Sequence, residues 1–174
     1  MAYTFLLRYR LPEGTGSMDE AVERLGAAGC DDALVGIGVP GRLALEFTRD
    51  GSSAEAAMLS AIRDVRKALP AASLVEVEPD LVGLTDAARF VGVSRQNLHK
   101  LMKRHPASFP APVHEGSMAI WHLADLLGWL KSQQGYEVSS VLEELASVAK
   151  QINLTRHLRE LEPGISEEVR SLIA

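Results

Sequence analysis

Gly92 is the residue that most narrows what this chain can build. It stands between two short runs of helical spacing, Leu84-Thr-Asp-Ala-Ala-Arg-Phe-Val91 and Arg95-Gln-Asn-Leu-His-Lys-Leu-Met102. A sharp turn between helices this close needs a backbone conformation that glycine takes without steric cost. Ala88, four residues earlier, must be small where the two helices cross. Val91, Val93, Leu98 and Leu101 are spaced to form a small core beneath the crossing. Thr85 is expected to cap the first helix and Ser94 the second. A small residue, a glycine and later aliphatics at these intervals specify a helix-turn-helix corner, because each position has its own steric reason.

The second helix turns Arg95, Gln96, Asn97 and Lys100 outward near its N-terminal end, with His99 at the margin. Such a helix suits the major groove of double-stranded DNA, where arginine pairs bidentately with guanine and glutamine or asparagine with adenine. Ser94 and the helix N-terminus suit a phosphate, and Lys103 and Arg104 suit neutralisation of the backbone. Phe109-Pro-Ala-Pro-Val-His-Glu-Gly-Ser-Met-Ala-Ile-Trp121 then reads as two short strands around a Glu115-Gly116-Ser117 turn. Leu123-Ala-Asp-Leu-Leu-Gly-Trp-Leu130 resumes helical spacing. This succession of helix, Phe-Pro-x-Pro, glycine-tipped hairpin, Trp and a helix ending Trp-Leu resembles the AlpA-type prophage regulators and excisionases, within the MerR-like group. The resemblance covers residues 82–131. It implies a winged helix-turn-helix that reads the major groove with the helix from Arg95. It also implies a phosphate or minor-groove contact from the wing at Gly116 and Ser117.

The net charge of −5 fits a DNA binder only when resolved along the chain. Between Leu84 and Lys131 stand Arg89, Arg95, Lys100, Lys103, Arg104 and Lys131 against Asp86, Glu115 and Asp125, so this segment carries +3 and the remainder −8. Phosphate responds to the local field. Trp121, Trp129 and Phe109 are expected in the core of the winged segment. The histidines lack the spacing of a zinc site and are expected at the surface, and neither a metal nor a cofactor is expected. The lone Cys30 is expected to be a small buried residue, in keeping with a reducing cytoplasm. Asp31-Asp32 is expected to be solvated loop, and Gly36-x-Gly38 is a poor phosphate loop because it lies inside a strand-like run. No nucleophile stands with a patterned base, so an enzyme is not expected. The apolar runs are too short to cross a bilayer and no signal peptide is read at the N-terminus.

Residues 1–78 read as a separate α+β unit. Tyr3 to Arg10, Ala33 to Val39, Arg42 to Thr48 and Ser73 to Val77 are strand-like. Ser17-Met-Asp-Glu20 and Ser52-Ser-Ala-Glu55 are capping boxes that open two helices. Gly29 ends the first and Pro70 the second, whose apolar face is Met58, Leu59, Ile62, Val65 and Leu69. Pro40-Gly41 marks a hairpin between the middle strands. The order β-α-β-β-α-β is the ferredoxin-like plan.

Residues 136–174 read as a helical tail. Val138, Val141, Leu142, Leu145, Val148 and Ile152 form one apolar stripe, with Glu143, Glu144 and Lys150 on the other face. The stripe must be buried, either against the chain's own N-terminal unit or against a second subunit in a homodimer. Ser166 is expected to cap a last short helix. Three functions fit: a DNA-binding transcriptional regulator, an antitoxin-like module whose N-terminal unit captures a protein partner, or an excisionase-type factor that bends DNA.

Overall fold

A computed structural model describes residues 1–36 and 38–173. The chain is an α+β protein. Strands β1 (Ala2–Arg10), β2 (Ala33–Gly36), β3 (Arg42–Asp50) and β4 (Ser73–Glu78) form one sheet in the order β2-β3-β1-β4, with every neighbouring pair antiparallel. Helices α1 (Met18–Ala27) and α2 (Ala54–Ala68) connect them. Strict alternation in β1 puts Tyr3, Phe5, Leu7 and Tyr9 in the core and leaves Thr4, Arg8 and Arg10 exposed. Leu43, Leu45 and Phe47 of β3 join them, under Ala21 and Leu25 of α1 and Ala57, Met58, Ala61 and Val65 of α2.

Local signals place most of these elements. Ser17 caps α1 by accepting from the Glu20 amide at 3.2 Å. Gly29, at φ +100°, follows the helix. The cap of α2 is Ser53 rather than Ser52, since Ser53 Oγ accepts from the Ala56 amide at 3.1 Å. Strand β2 ends at Gly36, short of the expected Val39, which instead belongs to a turn in which its carbonyl accepts from the Arg42 amide at 2.9 Å. Ile37, within that expected strand, lies outside the described residues. Cys30 is buried, which pushes its thiol up to about 11.

Asp32 is not solvated loop. Its carboxylate takes both Arg49 Nε (2.7 Å) and Nη2 (2.8 Å). Asp64 takes Nη1 at 2.6 Å, the Gly29 carbonyl takes Nη2 at 2.6 Å, and the guanidinium lies 4.9 Å above the Phe47 ring. Arg49 is only 8% exposed, and this full set of acceptors is what lets the charge leave water.

The second unit begins with β5 (Leu81–Val82), followed by α3 (Leu84–Val91), α4 (Arg95–Arg104), β6 (Trp121–His122) and α5 (Leu123–Gln134). Strands β5 and β6 pair antiparallel. Val82, Ala87, Ala88, Leu98, Leu101, Phe109, Trp121, Leu126, Leu127 and Leu130 make a second core.

Helix α6 (Ser140–Leu158) joins the two cores. Its Val141, Leu145, Val148, Ala149 and Ile152 pack into the first, and its Leu142 and Ala146, with Val138 just before the helix, into the second. The stripe therefore packs within one chain, with Leu145 buried and Val138, Val141, Leu142, Val148 and Ile152 half-buried. Glu143, Glu144 and Lys150, expected on a solvated face, tie the helix down instead. Glu144 accepts from the Tyr3 hydroxyl at 3.1 Å and from the Ala54 amide in the first turn of α2 at 2.9 Å. Glu143 pairs with Lys131, and Lys150 with Asp125, both on α5. Helix α7 (Pro163–Ile173) begins at a proline, whose fixed φ suits the first helical position. Ser166 lies inside that helix and does not cap it. No helix among the described residues is long and apolar enough to cross a membrane.

Asn153 closes the structure at the sheet edge. Its Oδ1 accepts from the Val77 amide at 2.9 Å, and its Nδ2 donates to the Val77 carbonyl and to Asp80 Oδ2, each at 2.8 Å. The other Asp80 oxygen meets His122 Nδ1 at 2.6 Å, so the line of contacts runs from β4 through α6 to β6. Asp80 and Asn153 are 1% and 5% exposed, so their polar atoms depend on one another. Asn153→Ala should cost about 2–4 kcal/mol in urea denaturation, since it strands two backbone groups and a carboxyl oxygen. The near-isosteric Asn153→Asp should cost at least as much by facing Asp80 with an acceptor. A loss below about 0.5 kcal/mol for both would remove this role.

Candidate nucleic-acid interface

The corner between α3 and α4 forms where the small and aliphatic residues require it. Ala87 and Ala88 are buried at the crossing, and Leu98 and Leu101 pack beneath it, with Val91 and Val93 half-buried. Gly92 takes φ +77°, the left-handed conformation, and the Val93 amide turns back to the Ala88 carbonyl at 2.9 Å. Ser94 Oγ accepts from the Asn97 amide at 3.1 Å and caps α4. The corresponding expectation for Thr85 fails. Helix α3 starts one residue earlier, at Leu84, so Gly83 holds the cap position and Thr85 is exposed within the first turn.

Helix α4 divides cleanly around its circumference. At about 100° per residue, Arg95, His99, Lys103, Gln96, Lys100 and Arg104 fall in that order over one contiguous half. All six are exposed. Asn97, Leu101, Leu98 and Met102 fill the other half, and each is buried or half-buried. Asn97 thus departs from its expected outward position: its Nδ2 donates to the Tyr136 hydroxyl at 2.8 Å, which ties α4 to the link between α5 and α6. Tyr136 was invisible to local periodicity, because it meets Asn97 from 39 residues away.

Charge concentrates on the same half. Of the six cations in this segment, Arg89 pairs with Asp86 and Lys131 with Glu143. Arg95, Lys100, Lys103 and Arg104 have no carboxylate within 4.0 Å among the described residues. The result is a run of unpaired positive charge one helix long.

The wing is slighter than expected. Instead of two strands, Val113 and His114 meet Ile120 in one isolated antiparallel bridge, with the Ile120 amide donating to the His114 carbonyl at 3.0 Å. Two prolines among residues 110–112 leave few donors for a longer ladder. Gly116 and Ser117 are exposed at the tip beside the acidic Glu115. A side chain at Gly116 would meet His114 Nε2 at 2.7 Å, so glycine lets the tip fold back over that ring.

The aromatics support this surface from behind. Phe109 stands edge-on to Trp121 and Trp129, at 6.2 and 5.0 Å between ring centroids. Trp121 Nε1 donates to the Pro110 carbonyl at 2.9 Å, which anchors the chain entering the wing. Two histidines differ from the surface role expected of them. His122 is bound to Asp80, and His105 packs against Trp129 at 5.7 Å between ring centroids. Among the described residues no group of His, Cys, Asp and Glu could hold a metal ion.

Comparison of the chain with protein-family models, curated proteins and solved structures gives no match.

Gly92→Ala should destabilise the corner by about 1–2 kcal/mol in thermal or urea unfolding. Open space surrounds the position, so the cost is one of backbone conformation alone. A neutral result would mean that the turn does not hold this conformation in solution.

Proposed function

We propose that the chain is a sequence-specific, double-stranded DNA-binding transcriptional regulator, in which a winged helix-turn-helix at residues 82–131 is carried by a ferredoxin-like module at residues 1–78. The reading rests above all on the solvent half of α4. A continuous face of Arg95, Gln96, His99, Lys100, Lys103 and Arg104, free of carboxylates and held on a capped helix, is what a major-groove reader requires. Arg95 and Gln96, on the first turn, are the residues for base edges. Lys103 and Arg104, at the far end, are suited to phosphates. The ferredoxin-like assignment draws support from the strand order β2-β3-β1-β4 with two connecting helices. The short wing and its Glu115 give Gly116 and Ser117 the lesser share of the contact. A homodimer reading two half-sites would pair through a surface other than the packed stripe of α6, and Leu154 and Leu158 at the end of α6 with Ile165, Val169 and Leu172 of α7 are exposed apolar residues that suit it.

The test is selection of bound duplexes from a random pool, followed by anisotropy titration of the best sequence at several salt concentrations. Lys103→Ala and Arg104→Ala should each weaken binding to all sequences and lower the salt slope by about 1. Arg95→Ala should cost about 1–3 kcal/mol and relax preference at one base position. Asn97→Ala, whose side chain faces Tyr136, should reduce stability more than it alters base preference. Full binding retained in both Arg95→Ala and Lys103→Ala would place the duplex elsewhere or exclude it.

A further inference from the structure

The largest hollow described in the molecule lies away from α4, between α2 and α6, with a volume of about 800 Å³. That size falls in the range of roughly 300–1,000 Å³ typical of small-molecule sites. Leu59 and Ile62 of α2, Leu74 of β4, and Val148 and Ile152 of α6 form its apolar walls, and every one of them is half-buried rather than covered. Leu59 and Ile62 belong to the apolar face expected of α2, yet α6 only approaches them and leaves a channel.

One end of this channel is cationic. Arg66, Arg156 and Arg159 line it at the C-terminal ends of α2 and α6. Arginines in last turns ordinarily complement the helix dipole. Arg156 goes further: its Nη1 reaches Glu160 at 3.1 Å and its Nη2 meets His157 Nε2 at 2.8 Å, but among the described residues its buried Nε has no acceptor. Arg66 and Arg159 have no carboxylate within 4.0 Å among the described residues. Tyr9 lines the same channel, and its hydroxyl is likewise buried without a partner. Among the described residues these are the two buried side-chain polar atoms without a hydrogen-bond partner, and both belong to residues that line this hollow. Both atoms are covered from solvent, so what the hollow presents to a ligand is the exposed Arg66 and Arg159, with Arg156 beside them. Glu55 is the second acid at the channel with Glu160, and it lies about 16 Å along α2 from Arg66, too far to neutralise that end.

We propose that this channel binds a small amphipathic anion, an organic acid whose hydrocarbon body lies along Leu59, Ile62, Leu74 and Ile152 and whose carboxylate meets Arg66, Arg156 and Arg159. The site stands on its own geometry and does not depend on how α4 is used.

The probe is decanoate, titrated into the full-length ¹⁵N-labelled chain and followed by ¹H–¹⁵N correlation spectra. Saturable shifts are expected at the amides of Ile62, Leu74, Ile152 and Arg159. Arg159→Gln, an exposed position, should weaken binding by about tenfold, as loss of one charge-assisted hydrogen bond does. Ile62→Trp should fill the channel and abolish binding, with the same spectrum reporting that the fold is kept. Three outcomes would overturn the proposal: shifts that grow without saturating, shifts confined to the exposed apolar residues of α7, or equal affinity for the uncharged 1-decanol.

Discussion

The side-chain amide of Asn153 does the work of a missing strand. β4 is the edge of the sheet, and an edge leaves backbone donors and acceptors with no neighbour. By bonding both the N–H and the C=O of Val77, Asn153 offers the same donor–acceptor pair that another strand's peptide would. Its remaining hydrogen goes to Asp80, whose other oxygen meets His122. In a water-poor interior each of these contacts is strong, and each orphaned partner is expensive. The sheet edge, the long helix and the second core are consequently held as one polar chain. The two cores are not simply strung on a linker.

That arrangement explains which features could be read from the residues and which could not. The caps at Ser17 and Ser94, the bend at Gly92, the alternation of β1 and the apolar stripe of α6 are all local patterns, and local backbone preference decides them. The β-α-β-β-α-β order follows from the same patterns. The polar partners were hidden. Asp32 resembles solvated loop until Arg49 arrives from β3, 17 residues on. Glu144 looks like one more surface acid until the start of α2, 90 residues earlier, presents an unpaired amide to it. Asn97 and Tyr136 likewise meet only through the fold. Periodicity records where water is excluded, and it carries no information about which polar group fills the vacancy.

The candidate interface shows the same division. All six outward residues of α4 were legible, and Asn97 alone was wrongly counted with them, because an amphipathic helix sorts its own faces. The wing was less legible, because hairpin pairing depends on how the prolines leave the backbone donors, and only one bridge survives. Behind α4, the ring cluster of Phe109, Trp121 and Trp129 and the Asn97–Tyr136 bond hold the helix against a firm base. A recognition surface gains precision from such support, since a helix that rocks by an ångström loses its directional hydrogen bonds.

The grip of Asn153 on Val77 also sets a timetable during synthesis. The two residues are 76 positions apart. At roughly 5–20 residues per second, Val77 is made about 4–15 seconds before the residue that seals its edge. For that interval β4 presents a bare strand to its surroundings, and α2 lacks the carboxylate of Glu144 on its first turn. A nascent chain halted anywhere before α6 would keep that exposed edge for as long as it lasted. Helix α6 thus guards the edge of the first sheet against pairing with strangers.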